Sequence, residues 1–226
     1  TLSLHDALPI SKSFFSDLIF KHLNSLEGVS SEQIGESSYG FTNEAFTQRT
    51  AFEEFVKASE GNPRDAINII GQSAKKAGES AISVPNIREA ASSWYVSSKE
   101  GSVSAREEAS LFLNYIIDEV IRHRRSKAFL VESGKEPELI DYLYDSRVLH
   151  ILKQGYSARD KPGVRYNVYA LDYGCYVNFI NTGSAPELPF GEDTNESARF
   201  VEVPETDFRS IRRLIFDPDD FFNRDQ

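Results

Sequence analysis

Apolar residues recur at helical spacing along most of this chain, broken by short polar and glycine-rich stretches. Phe14, Phe15, Leu18, Ile19, Leu23 and Leu26 share one face and predict a helix over 13–26. Residues 27–43 are rich in Gly and Ser and read as a loop. A helix is expected over 44–59, with Ala45, Phe46, Phe52, Phe55, Val56 and Ala58 as its apolar surface. The run Gly61-Asn62-Pro63-Arg64-Asp65-Ala66-Ile67 carries a helix-start signal. Asn62 suits the N-cap, Pro63 the first helical position, and Asp65 follows the cap by three residues. Ala66, Ile67, Ile70, Ala74 and Ala77 would give this helix its buried face.

The second half mixes periods. Ala81 to Val84 is short and β-friendly and leads into a helix over 86–97 marked by Ile87, Ala90, Ala91, Trp94 and Tyr95. Trp94 reads as a core residue. Lys99 to Val103, with Gly101, reads as a linker. Ser104 and Glu107 form a capping-box pattern ahead of a helix through Ala109, Phe112, Leu113, Ile116, Ile117, Val120 and Ile121. Strands are expected at Ala128–Val131, Val148–Leu152 and Val164–Leu171, with a helix over Pro137–Arg147 between the first two. Asp172 reads as a turn residue, Tyr173 as packed, and Cys175 as buried in a strand. From Asn181 to Ser197 the chain is polar and punctuated by Gly and Pro. Arg199–Val203 suggests a strand and Phe208–Phe216 a short helix. Asp217 to Asp220 is acidic turn material ahead of the pair Phe221-Phe222, a docking element or a partner surface. The fold class is therefore mainly α with a small β component.

Composition narrows the function classes. The chain has 226 residues, ordinary apolar and charged fractions and one cysteine, Cys175. That count excludes an intramolecular disulfide and a cysteine-rich metal site, and a cytoplasmic location with no membrane partner is expected. The net charge is −10, which argues against a surface coated uniformly for nucleic acid. Charge is uneven, however. Residues 121–170 hold ten Lys/Arg against six Asp/Glu, a balance of +4, and residues 187–226 hold five against eleven, a balance of −6. Residues 1–10 resemble the translated end of a sequencing-library adapter and are set apart from the fold, which suggests a carboxyl-terminal fragment.

Two sets of cations stand out. Arg64 lies in a first helical turn, where the dipole disfavours it, and makes better sense with an anion nearby. A solvated arginine beside a well-capped helix is the plainer reading. Arg122, Arg124, Arg125 and Lys127 close a helix, where cations are favourable, and also suit a phosphate-contacting patch. Arg159, Lys161 and Arg165 flank a turn between strands. Against nucleic acid, the 137–147 helix is set among Glu136, Glu138, Asp141 and Asp145.

The helical hairpin broken by Gly-Asn-Pro-Arg-Asp-Ala-Ile resembles the lid subdomain of AAA+ ATPases of the origin-recognition-like family, over roughly residues 44–175. The resemblance implies a helical AAA+ lid at 11–100, a winged-helix-like domain at 101–180 and a loop-rich extension at 181–226. It implies that Arg64 is the lid's sensor arginine, reaching the terminal phosphate of ATP, held with Mg2+ on a core joined in cis. It places Arg122, Arg124, Arg125, Lys127, Arg159, Lys161 and Arg165 toward double-stranded DNA, with protein partners or a homo-oligomer in the full-length parent. No Gly-x-x-x-x-Gly-Lys-Ser/Thr loop occurs in this sequence, so the chain cannot complete a nucleotide site and would be inactive alone, although its parent would be an ATPase. A winged-helix regulator without ATPase activity and a protein-interaction module are the alternatives.

Overall fold

The computed structural model describes residues 4–26, 37–124, 126–157, 162–181 and 215–223, with the backbone alone at 4–11 and 179–181. The chain divides into two compact units, one ending at Tyr95 and the other beginning at Val96.

The first unit is helical. Its elements are α1 (Leu4–Asn24), α2 (Ser38–Ala45), α3 (Arg49–Ala58), α4 (Pro63–Ala77) and α5 (Val84–Tyr95). Helix α1 runs back through Pro9 into the decapeptide set apart above. Its inner face holds Phe15 and Ile19, while Phe14 and Leu26 remain exposed. The expected loop over 27–43 is helical from Ser38, because the Ser37 hydroxyl accepts from Gly40 N and starts α2. The single helix expected over 44–59 is two. Phe46 adopts extended backbone and pairs in parallel with Ile82, so the β-friendly 81–84 stretch has its partner there. Thr47 N donates to Ile82 O at 2.9 Å and Ile82 N to Ala45 O at 2.8 Å. Phe15, Phe46 and Phe55 meet edge-on or tilted in the core. Helix α5 packs on α4 and α3. It begins with a reciprocal cap in which Ser83 N and Oγ donate to Asn86 Oδ1. In α4 the buried stripe is Asp65, Ala66, Ile69 and Ser73, rotated from the expected series, and Ala74 is exposed.

In the second unit the expected linker at 99–103 is helical. A π-helical segment (Val96–Glu100) is followed by α6 (Gly101–Ser104). The Ser104–Glu107 capping box does not form: Ser104 Oγ donates back to Glu100 O at 2.9 Å. Helix α7 (Glu107–Ile116) and a π-helical segment (Ile117–His123) carry the expected apolar residues, nearly all buried. Then come β1 (Ala128–Glu132), α8 (Glu138–Asp145), β2 (Leu149–Ser157), β3 (Arg165–Leu171), α9 (Tyr173–Asn181) and the short α10 (Asp219–Phe222). The strands form an antiparallel sheet in the order β1-β3-β2, with Leu130 opposite Val168 and Ile151 opposite Tyr169. Both faces of β1 are covered, since Ala128 through Val131 are fully buried, which is why its sequence shows no alternation. Cys175 is half-buried in α9, not in a strand, because the chain turns into a helix directly after Asp172. Of the helix expected over Phe208–Phe216, only Ile215 and Phe216 are described, and both are non-helical; Arg199–Val203 lies outside the described residues.

The architecture is thus mainly α with a small three-stranded antiparallel sheet. The β1-α8-β2-β3 order follows the sequence expectation, and a single described helix lies between β1 and β2.

Candidate functional site

The start of α4 is built from four adjacent residues with different tasks. Asn62 leaves the helix in extended backbone, and its side chain accepts from Arg64 N at 3.0 Å. Pro63 has no N–H to leave unsatisfied at that position. Asp65 is buried, and its Oδ1 accepts from Trp94 Nε1 of α5 at 3.0 Å. Between them Arg64 is exposed, and its guanidinium has no hydrogen-bonding or ion-pairing partner among the described residues. The cap and the Asp65–Trp94 bond fix the first turn of α4 from the inside, so the arginine is presented outward from a braced helix start. A cation there is opposed by the positive end of the helix dipole, by roughly 0.3–1 kcal/mol. An anion brought to the same spot would be attracted by both.

The second set of expected site residues is differently placed. Arg122 pairs with Asp118 at 2.9 Å, one turn earlier. Arg124 donates through Nη1 to Ile215 O at 2.6 Å and lies 3.8 Å from Glu119. These two guanidinium groups are engaged within the protein. Lys127 is half-buried, and its carbonyl accepts from Leu171 N at 2.8 Å. Arg165 is exposed at the start of β3, opposite Ser157. Arg125, Arg159 and Lys161 lie outside the described residues. Lys135 pairs with Glu132 at 3.1 Å, and Arg106 reaches Glu138 of α8 at 2.8 Å. The described cations of this unit are largely answered by its own carboxylates.

A third cluster escaped the sequence reading. Lys99, 2% exposed, holds Asp172 Oδ2 at 2.6 Å. His150 Nε2 lies 3.1 Å from the same oxygen, and Asp172 Oδ1 accepts from Gly174 N at 3.1 Å. Burial alone would push the Asp172 carboxyl up. The His150 hydrogen bond and the Lys99 charge outweigh it and hold the group below the usual carboxylate range. The cluster ties the π-helical segment, β2 and the start of α9 together. A turn role for Asp172 was legible beside Gly174. Nothing near Lys99 or His150 in sequence marked them as its partners.

No group of three or more His, Cys, Asp or Glu able to hold a metal occurs among the described residues. No helix of the described residues is long and apolar enough to cross a membrane. No protein-family model, curated protein or solved structure matches this chain.

Proposed function

We propose that this chain is the lid and effector part of an AAA+ ATPase of the origin-recognition-like family, and that Arg64 contacts the terminal phosphate of ATP bound on a core outside this sequence. The observation that carries the reading is the exposed Arg64 guanidinium, without a partner among the described residues, on a helix start braced by Asn62 and by Asp65–Trp94. An arginine that merely decorated a surface would not require that bracing. ATP with Mg2+ supplies the phosphoryl chemistry when bound. The part played by this chain is to place one planar, permanently charged donor set against the phosphate and to move as a rigid lever with it. The second unit is the effector that reads the lever's position. Pairing of Arg122 with Asp118 and of Arg124 with Ile215 and Glu119 favours a protein partner for that unit over duplex DNA.

The test uses the full-length parent, recovered by reading the gene upstream of residue 11. A P-loop followed by an acidic strand is the expected finding there. Arg64→Ala in that protein should lower ATP turnover on the order of 10²-fold while leaving its melting temperature unchanged. A natural start codon near residue 11, or equal turnover in the two proteins, overturns the assignment.

A further inference from the structure

The segment 215–223 behaves as a peptide ligand of the second unit. Ile215 forms a parallel bridge with Leu130, on the edge of β1 that β3 does not use. Phe216 N donates to Leu130 O at 2.8 Å, and Arg124 takes the Ile215 carbonyl. This is strand addition to a sheet edge, with main-chain bonds for affinity and side-chain pockets for choice of sequence. Phe216 fills the pocket. It is 2% exposed and meets Phe112, Tyr115 and Phe129 at ring separations of 5.3–6.1 Å. Phe221 and Phe222 then lie on Phe112 at 5.0 and 6.1 Å.

The hook is shaped by its own bonds. Asp217 Oδ1 accepts from Asp219 N at 3.1 Å, and Phe221 N donates to Pro218 O at 3.1 Å. A preformed turn loses less freedom on docking. The groove also continues beyond the hook. A cavity of about 460 Å3, lined by Glu107, Glu108, Leu111, Phe221 and Phe222, opens beside it, and Leu111 and Phe222 are 56% and 40% exposed.

We infer that the β1 edge and the adjoining face of α7 form a docking site for an Ile-Phe-Asp-Pro-x-x-Phe-Phe segment, and that a second copy of this chain supplies that segment in trans. Residues 182–214 separate the hook from α9. A chain of that length spans up to about 100 Å, so it sets no geometric bar to reaching a neighbour. The contacts made in trans are identical to those made in cis, the condition for exchange of an element between copies. Mass action sets the balance. Dilution favours a copy that fills its own site, and rising concentration favours exchange between copies.

The experiment uses the full chain with one protease site inserted after Ala185. Once cut there, the protein should take up a fluorescent peptide of residues 211–223. The intact chain should bind it at least tenfold more weakly, because its own hook competes. A peptide with Phe216→Ala should lose at least tenfold in affinity for the cut protein. Sedimentation of the intact chain should show a dimer fraction that rises with protein concentration, and Phe216→Ala should abolish it. Circular dichroism of the cut and substituted proteins confirms that they remain folded. No peptide uptake by folded, cut protein overturns the site, as does equal binding of the Phe216→Ala peptide. Peptide uptake by a chain that stays monomeric throughout overturns the second copy as the occupant.

Discussion

Asp172 illustrates how much one carboxylate can hold in place. It receives Lys99, His150 and the Gly174 amide at the start of α9. Removing one member of a buried ion pair costs more than the pair contributes, because the other charge stays buried. Asp172→Asn keeps the size and most hydrogen-bonding capacity but strips the carboxylate from beside a buried Lys99. The expected loss is about 3–5 kcal/mol, measured by urea unfolding. The pH dependence has a definite sign. The folded pKa of Asp172 is depressed, so the unfolded chain binds more protons in the acid range. Its contribution is complete above the ordinary carboxylate value of about 4 and drains away as pH falls through the depressed value. Urea midpoints of the parent protein should therefore fall on acidification by more than those of Asp172→Asn. At this scale the sequence was uneven. Asn62, Pro63 and Arg64 were legible because capping chemistry is local. The Lys99–Asp172 pair was not, since it joins positions 73 residues apart and Lys99 stood in what reads as a linker.

At the level of elements, hydrophobic spacing located most of the described helices and the three described strands but misjudged where helices stop. The 44–59 helix breaks because Phe46 is more stable extended against Ile82 than helical, a tertiary pairing that local propensity does not encode. The Ser104–Glu107 box had the right letters, yet the helix from Gly101 already occupied the Ser104 hydroxyl. The buried stripe of α4 rotated for a related reason: Asp65, read as a capping acid, faces inward to meet Trp94. The turn before α4 shows the opposite case. Gly61 has φ +73°, a conformation that favours glycine, and a Cβ there would meet nothing within 4 Å. Gly61→Ala therefore changes backbone strain alone and should cost about 1–2 kcal/mol, read as a lower thermal midpoint of the first unit.

For the whole molecule, the chain divides between Tyr95 and Val96, and the acidic end carries −6 of the net charge of −10. The acidic end itself was readable only as turn material ahead of an aromatic pair. Its destination on β1 and α7 is a contact between residues far apart in sequence, for which spacing offers no rule. The charge excess of residues 121–170 counts residues, whereas the structure pairs Arg122, Arg124 and Lys135 with neighbouring acids or a carbonyl.

The bridge between Ile215 and Leu130 also bears on colloidal behaviour. Ala-Phe-Leu-Val is a β-prone, uncharged run, and without the last residues its outer row of amides and carbonyls would face other molecules. Shortening the chain after residue 214 should therefore turn a soluble preparation turbid on standing, followed by light scattering, with the rate rising steeply with concentration. The carboxyl-terminal residues thus cover part of an edge that would otherwise stand open.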